Sequence, residues 1–500
     1  MTAPDTSNLK RKAVRGGAFT FASQWTRFVL RIASIAVLSR LLTKDDFGLV
    51  AMVTAFTGFA SLFADAGLTQ AAMRARELSR EQASSLFWIN LGVATVVAAV
   101  VALASPLIAI FYDREQLVGI ASIASVSLIL AALGAQHIAM LQRELRFGKL
   151  AIVETSGQLA GVLLAIVAAW LGAGYWALVV QAVAMSAVTS TAAWIASGWR
   201  PARPGIAPGT KSLLFTGSHL SGTEVLNYIG LNSDAVILGR AAGEGPLGEY
   251  SRAQSLLMMP LTQIIGPFTK VAVPLLSRVQ DQPERFARAY YRMCAMVALV
   301  STPLIALLMV GARDIVLIML GPGFAEAATL FQILAIAAWG MPIAATATWV
   351  AIASGQTALL FWRNLVRVTI VIAAYLIGVR WGATGIAIAY VITTHLLRLP
   401  MLWWTFRGTP VRIGGLAAAT WPATLIGIVG AAAMVVPAYL MPLPAATPAW
   451  LSPWLTLTAT GLTGAAVMGG LLWTWPRAKR ELREAIELAR SARRSNAPAA

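Results

Sequence analysis

Charged residues are scarce in this sequence, and no stretch of it is polar enough to form a separate soluble domain. Only 12% of the 500 residues are charged and 58% are hydrophobic, whereas a soluble domain is about 25% charged. The mean hydropathy is +0.71. These values indicate a polytopic membrane protein, and at about 20 residues per span plus short turns the chain accommodates roughly fourteen transmembrane helices.

Motifs for nucleotide, metal and catalytic sites are also lacking. The sequence GxxxxGK followed by Ser or Thr does not occur, so the chain is not expected to bind ATP. The single cysteine, Cys294, cannot form an intrachain disulfide, and no His and Cys residues have metal-ligand spacing. No predicted outer loop gathers the acids, bases or nucleophile that extracellular sugar chemistry requires. We therefore expect neither a cofactor nor an enzyme activity.

The net charge is +18, and its distribution along the chain decides what it means. If the first span begins in the cytoplasm, 29 Lys and Arg residues fall on cytoplasmic segments and 6 on the opposite side, with Arg363 and Arg367 counted among the cytoplasmic flanks. The positive-inside rule predicts this asymmetry. The charge therefore indicates topology, with both termini in the cytoplasm, and does not indicate a nucleic-acid partner.

The first predicted span, residues 18–42, carries two arginines near its middle. At 3.6 residues per turn, Arg27 and Arg31 share one helix face with Ser23 and Ser34. A charge at bilayer depth costs about 2.5 to 3.5 kcal/mol, so both arginines need a protein or water environment. Two interpretations follow. The face binds an anionic group of a substrate, or the arginines pair with intramembrane carboxylates and hold helices together.

An internal repeat appears when the sequence is shifted by 200 positions. Residues 39–50 then lie over residues 239–250 without a gap, and Gly48 matches Gly248. The repeat predicts two pseudo-symmetric six-helix lobes in parallel orientation, with a cavity at their interface and two further C-terminal helices. The fold class is thus an all-α polytopic membrane protein. The predicted segments are a basic cytoplasmic N-terminus (1–17), an N-lobe of helices 1 to 6 (18–198), a cytoplasmic linker (199–211), a C-lobe of helices 7 to 12 (212–405), helices 13 and 14 (406–475) and a basic cytoplasmic tail (476–500).

The seventh predicted span also has a polar face, with carboxylates in place of arginines. Glu224, Asn227 and Asp234 fall on one helix face, so one lobe has a cationic stripe and the other an anionic one. Carboxylates at this depth are candidates for carrying a coupling proton or sodium ion, and interlobe pairing with the arginines is an equal alternative. We interpret Asp65, in the second span, as a structural partner of the first helix.

The eighth predicted span has three prolines at intervals of seven residues. Pro260, Pro267 and Pro274 lie on one face, and each removes a backbone hydrogen bond. Repeated bending toward one side predicts a gating element, although curvature needed only for packing is an equal contender. Arg252, near the predicted outer end of this span, is a candidate second contact for an anion.

Several stretches resemble one known family. RLLTKDDFGLVAMVTAF at 40–56, LFADAGLTQAAMRARELSREQASSLFWIN at 62–90, LQRELRFGKLAIVE at 141–154 and LGPGFAEAATLFQILA at 320–335 resemble the Wzx-type polysaccharide flippases. These form the polysaccharide synthase branch of the multidrug/oligosaccharidyl-lipid/polysaccharide (MOP) exporter superfamily. The resemblance runs from about residue 10 to about residue 410, and its first-half motifs are fairly specific to this branch.

The resemblance implies flipping of an undecaprenyl-pyrophosphate-linked oligosaccharide from the inner to the outer leaflet of a bacterial inner membrane. It implies alternating access without ATP, and glycan polymerase and chain-length proteins as candidate partners besides membrane lipid. It also gives Arg27, Arg31 and Arg252 the role of binding the pyrophosphate, because a guanidinium matches phosphate oxygens in a two-point fork. The related lipid II flippases carry arginines in their first and eighth helices. The glycan itself is not implied.

Two other functions are weighed against this one. A MATE-like ion-coupled multidrug exporter shares the fold, but its cationic drugs call for carboxylates where this first span has arginines. A membrane-embedded glycan polymerase or ligase would act on the same lipid-linked sugars, but it needs a sizeable outer loop with catalytic groups, and none is predicted.

Overall fold

The computed structural model describes residues 6–65, 78–208, 210, 221–440, 447–448 and 450–476, and the regular structure in these ranges is helical. The α-helices are α1 (Thr6–Leu41), α2 (Lys44–Asp65), α3 (Arg80–Tyr112), α4 (Gln116–Arg143), α5 (Phe147–Trp170), α6 (Trp176–Ser197), α7 (Ser221–Ala242), α8 (Glu244–Arg278), α9 (Pro283–Val310), α10 (Ala312–Met319), α11 (Ala325–Ala338), α12 (Met341–Ala345), α13 (Ala347–Ala353), α14 (Thr357–Gly378), α15 (Gly382–Phe406), α16 (Ile413–Val435) and α17 (Ser452–Thr474). The predicted tail, 476–500, lies almost entirely outside the described residues.

Among the described residues, ten helical stretches are long and apolar enough to cross a membrane, or eleven if one bent pair counts as a single span. Helices α1 and α7 are not in this set, and both carry the polar stripes that the sequence predicts. The all-helical membrane architecture is therefore confirmed. The count of fourteen and the arrangement in two lobes stay predictions.

The described residues fall into two compact units. Unit 1 contains those up to Gly248, and unit 2 contains those from Glu249 onward. The division falls in the second turn of α8, so the first residues of that helix pack with unit 1.

Unit 1 is built on close contacts between helices that pack through small residues. Helix α4 packs on α3 and α6, and α5 packs on α1 and α6. At Gly134 of α4 the neighbour is Ser190 of α6, and at Gly157 of α5 it is Thr189. Because apolar side chains gain little by leaving lipid for protein, helix association in a membrane depends on such close approach. The first turn of α3 is held by a capping box between Ser79 and Gln82, with two hydrogen bonds of 3.1 Å.

A reciprocal glycine contact joins the N-terminal turns of α2 and α8. A Cβ added to Gly48 would meet the carbonyl oxygen of Glu244, and one added to Gly248 would meet the carbonyl oxygen of Lys44. The residues in these two contacts are equivalent in the sequence repeat, because Lys44 aligns with Glu244 and Gly48 aligns with Gly248 at a spacing of 200 residues. The two helices thus cross at backbone contact with local two-fold character. Glu244 is also held through its side chain, which accepts from Nε of Arg114 at 2.9 Å.

Unit 2 has a core of aromatic and aliphatic side chains between α9, α13, α15 and α16. Tyr290, Cys294 and Trp349 are among its buried members. The tyrosine hydroxyl lies 2.9 Å from Oγ1 of Thr346, and the thiol of Cys294 lies 3.3 Å from the same oxygen. Cys294 is therefore a buried structural thiol.

The apolar stretch over residues 325–353 is not one continuous helix. Helix α11 ends at Ala338, and the chain turns by 48° before the second half of the span begins at Met341. Gly340 adopts a left-handed backbone with φ of +78°, and Pro342 follows it. Glycine populates positive φ without strain, so it fits the break between the helices. Pro342 fits the first turn of α12, where an amide hydrogen has no helical acceptor.

A Gly→Ala substitution at the glycine crossing and one away from it should change the melting temperature differently. Gly48→Ala should lower the melting temperature of the full chain in detergent micelles, because the added methyl group meets backbone that cannot move aside, at a cost of about 1 to 3 kcal/mol. Gly92→Ala, also inside a helix of unit 1 but with nothing within 4 Å of its added Cβ, should leave it unchanged or raise it, since alanine favours helix by up to about 1 kcal/mol. Equal shifts at the two sites would contradict the close crossing.

Candidate functional site

The polar stripe of α1 contains an ion pair to α5. Nη1 of Arg27 lies 2.5 Å from Oε2 of Glu154, and the two side chains are 31% and 28% exposed. Nε of Arg27 is buried and has no hydrogen-bond partner among the described residues. Since α1 and α5 pack along their lengths, this pair crosslinks two helices of unit 1 while leaving part of the guanidinium unsatisfied. Glu154 is not among the carboxylates that the sequence predicts as partners of Arg27.

The rest of the stripe divides between packing and exposure. Ser23 and Ser34 are buried, and Oγ of Ser34 accepts from Nε2 of Gln181 in α6 at 2.9 Å. Arg31, one turn after Arg27, is exposed. Residues four apart on a helix are surface neighbours, so the exposed guanidinium lies beside one that is already held by a carboxylate. Two arginines and one glutamate leave this surface with a net positive charge.

The residues of the predicted anionic stripe on α7 differ in their exposure. Glu224 is exposed and Asn227 is partly buried, whereas Asp234 is only 2% exposed, and its Oδ1 accepts from the backbone N–H of Ala235 at 2.8 Å. Helix α7 packs on α2, where the hydroxyl of Tyr228 donates to the carbonyl of Thr54 at 3.1 Å. Asp234 is thus placed inside unit 1, while Glu224 lies at its surface.

The remaining predicted residues lie on α8 or at the end of α2. Arg252 is partly buried in unit 2. All three prolines, Pro260, Pro267 and Pro274, lie inside a helix that continues from Glu244 to Arg278. Asp65 ends α2, and its side chain lies outside the described residues. The proposed roles of all these residues stay predictions.

Two further arginines lie inside an apolar helix, and the sequence analysis did not predict them as candidate site residues. Arg363 and Arg367 were counted with the cytoplasmic flanks, but both are partly buried inside α14. Nη1 of Arg363 donates to Oγ1 of Thr405 in α15 at 2.8 Å. Their spacing of four residues within an apolar stretch was the available signal, since it places both on one face of a helix.

Comparison with known proteins identifies the family. Residues 37–329, more than half of the chain, match the family described as "Polysaccharide biosynthesis protein". The chain belongs to this family. The resemblance to polysaccharide flippases noted in the sequence is thereby confirmed at the level of the family.

Curated relatives of this family are about one quarter identical to the chain. The lipopolysaccharide biosynthesis protein WzxC of Escherichia coli (strain K12) is 24% identical over 392 residues, which cover 77% of this chain and 79% of WzxC. The succinoglycan biosynthesis transport protein ExoT of Rhizobium meliloti (strain 1021) is 24% identical over 389 residues, which cover 78% of this chain and 79% of ExoT. Both names refer to bacterial polysaccharide production.

Solved structures show the same fold at lower identity. The lipid II flippase MurJ in an inward closed conformation matches with a TM-score of 0.64 and 13% identity, covering 90% of this chain and 98% of MurJ. A multidrug resistance MATE family transporter of the MOP superfamily, in an inward-facing conformation, matches with a TM-score of 0.61 and 16% identity, covering 79% of this chain and 96% of the transporter. The chain therefore shares its fold with these transporters, and it is a multi-pass membrane protein of a polysaccharide biosynthesis family.

The ion pair between α1 and α5 generates a prediction on stability. Arg27→Gln and Glu154→Gln should each lower the free energy of unfolding by about 1 to 3 kcal/mol, because each leaves a half-buried charge without its partner. The double substitution should cost less than the sum of the two. Melting temperatures of the four proteins in detergent measure this coupling.

A matched control is Glu224→Gln, which makes the same change at an exposed carboxylate of unit 1 and should leave the melting temperature unchanged. Additive effects of the two pair substitutions would show that the contact contributes nothing to stability.

Proposed function

We propose that this protein is a flippase that moves undecaprenyl-pyrophosphate-linked oligosaccharide across the bacterial inner membrane by alternating access without ATP. The observation that carries the proposal is the exposed Arg31 beside the Arg27–Glu154 pair on α1. A guanidinium within a helix of a membrane protein is costly unless it meets an oxygen-rich group. The pyrophosphate of a lipid-linked sugar supplies such a group at the depth of the bilayer.

The comparisons support this choice of substrate class. ExoT is named as a transport protein of succinoglycan biosynthesis, and MurJ is named as a flippase of lipid II. Membership in a polysaccharide biosynthesis family makes a glycan precursor the expected cargo. The fold is shared with a flippase and a transporter, which supports transport rather than sugar transfer as the step that this protein performs in that biosynthesis. The products served are exopolysaccharide, capsule or O-antigen.

We assign the arginines different roles. Arg31 makes the direct contact with the pyrophosphate, because its guanidinium is exposed, and Arg27 supports it while oriented by Glu154. A guanidinium offers five N–H donors, so Arg27 can bind Glu154 and still donate to a phosphate oxygen. Arg252 in unit 2 is proposed as a later contact in the transport cycle, and α8 with its three prolines as the gating helix.

The carboxylates of α7 are proposed to have separate roles. Glu224 is exposed and can exchange a proton or sodium ion with water, which is what a coupling residue needs. Asp234 is buried and accepts a backbone hydrogen bond, which is typical of a structural carboxylate. Interlobe pairing of either residue with arginine is the alternative.

The experiment that tests the function uses a strain lacking this protein. Undecaprenyl-pyrophosphate sugars are isolated and assigned to a leaflet by their accessibility to an impermeant reagent. They should accumulate in the inner leaflet, and the wild-type gene should clear them. Arg31→Gln should reduce flipping about tenfold to hundredfold with normal protein abundance, because a charge-assisted contact to phosphate is lost. Arg31→Lys should retain part of the activity, since the charge remains but the two-point fork does not.

The matched control is Arg40→Gln, which removes an arginine from the last turn of the same helix. It should flip normally. If Arg31→Gln also flips normally, Arg31 does not bind the substrate, whereas loss of folded protein would give Arg31 a structural role.

A multidrug exporter is the second candidate, favoured by the exposed carboxylate Glu224 and by the fold shared with a MATE transporter. This function predicts normal outer-leaflet sugars in the deletion strain together with sensitivity to cationic drugs. Accumulation of inner-leaflet sugars without drug sensitivity would exclude it.

A further inference from the structure

Unit 2 contains two neighbouring cavities that no step of the proposed transport uses. The first has a volume of about 190 Å³ and lies between α9, the break after α11, α15 and α16. The second has a volume of about 420 Å³ and is lined by apolar residues of α9, α11 and α16 together with His395 of α15. Trp339, at the break, lines both.

The first cavity contains a held but incompletely satisfied arginine. Nη2 of Arg398 donates to the carbonyl of Trp339 at 2.6 Å. Because α11 ends at Ala338, this carbonyl oxygen has no partner within the helix. Nε of Arg398 is buried and has no hydrogen-bond partner among the described residues. A Cβ on Gly340 would lie 2.6 Å from Nη1 of Arg398, so the glycine at the break makes room for the guanidinium.

Few other groups in this cavity can donate to a ligand. The hydroxyls of Thr302, Thr420 and Thr424 each donate to a carbonyl of their own helix. Among the described residues that line the two cavities, none is acidic. The cavities therefore carry a positive charge from Arg398 without a counter-charge, and they select an anion.

The apolar part continues from this charge along one helix face. Leu416, Thr420 and Thr424 of α16 line the first cavity, and Ile428, Ala432 and Val435 line the second. From residue 416 to residue 435 the helix rises about 28 Å, close to the hydrocarbon thickness of about 30 Å. Ile428 and Val435 are 51% and 37% exposed. Such apolar exposure on a membrane-spanning helix is suited to contact with an acyl chain.

The charged end of the cavities lies toward the ends of two helices. Arg398 precedes the end of α15 at Phe406 by eight residues, or about 12 Å of helix. The first cavity continues from Arg398 past Leu402 to Ile413, the first residue of α16. The ends of membrane-spanning helices lie near the headgroup region of a bilayer, so the phosphodiester of a surrounding lipid is the anion expected there.

The two cavities together form a groove along α16. We propose that this groove is a binding site for an anionic glycerophospholipid of the surrounding membrane. The phosphodiester accepts hydrogen bonds from Arg398, and one acyl chain lies along α16 past Trp339. The bound lipid neutralises the guanidinium that holds the broken helix, so it stabilises unit 2. A zwitterionic lipid binds less well, because its ammonium group would lie near the same guanidinium.

The test measures lipid retained by the full chain and its thermal stability. Protein purified in detergent should retain phosphatidylglycerol, detected by extraction and mass spectrometry, and added phosphatidylglycerol should raise the melting temperature more than phosphatidylcholine does. Arg398→Gln should weaken the apparent affinity for phosphatidylglycerol about tenfold to hundredfold, the effect of losing a charge-assisted contact.

Two further variants keep the outcome interpretable. Arg407→Gln removes an exposed arginine that lies over Trp403, just after the same helix ends, and should retain lipid as the wild type does. Ala432→Phe adds a ring in the apolar cavity without touching Arg398, and should also lose retained lipid. It keeps the test informative if Arg398→Gln fails to fold.

Three results would overturn the proposal. Equal stabilisation by phosphatidylglycerol and phosphatidylcholine would show that the site does not distinguish an anionic lipid from a zwitterionic one. Stabilisation by undecaprenyl phosphate alone would make the groove part of the substrate path. Unchanged lipid retention in both Arg398→Gln and Ala432→Phe would show that the lipid binds elsewhere.

Discussion

The cost of an unpaired charge away from water determines how several arginines of the helices are placed. Arg27 meets a carboxylate, Arg363 a threonine hydroxyl and Arg398 a backbone carbonyl. Each contact joins two helices, because the oxygen comes from a different element from the arginine. Placing each charge at the centre of a bilayer costs about 2.5 to 3.5 kcal/mol, and the contact that offsets this cost also links two helices. Arg31 differs from these three because its side chain is exposed, and this difference is why we assign it to the substrate.

Close packing supplies the other contribution to the architecture. In both units, helices approach where a small residue faces a neighbour, as Gly134 faces Ser190 in unit 1 and Gly427 faces Thr302 in unit 2. In a bilayer the apolar surface gives little drive for such association, so dispersion contacts and hydrogen bonds must supply it. The helices of this protein consequently combine long apolar faces with isolated polar contacts.

Much of the fold was predictable from the sequence, because hydropathy and length report directly on membrane spans. The need of Arg27 for a counter-charge was predictable in the same way, but its partner was not. Glu154 lies on a distant helix near a span end, and only the packing of α1 on α5 brings the two together. The sequence instead predicted Asp65 as a structural partner of the first helix, and Glu224 and Asp234 as partners only in the alternative of interlobe pairing.

Other features needed the packing of several helices at once. The break after α11 has local signals in Gly340 and Pro342, but the apolar run continues through both residues, so hydropathy alone does not reveal it. The groove at Arg398 has no linear signature, since its walls come from four segments of unit 2. Arg363 and Arg367 were recognisable as neighbours on a helix, but their burial depends on α15.

The crossing of α2 with the first turns of α8 is a contact between main chains, since glycine occupies both positions of closest approach. Side chains that meet at an interface lose rotamer freedom, at a cost of up to about 2 kcal/mol for the longest of them. Glycine has no rotamers to lose. The two helices therefore meet at these two positions without the entropy cost that longer side chains would carry there.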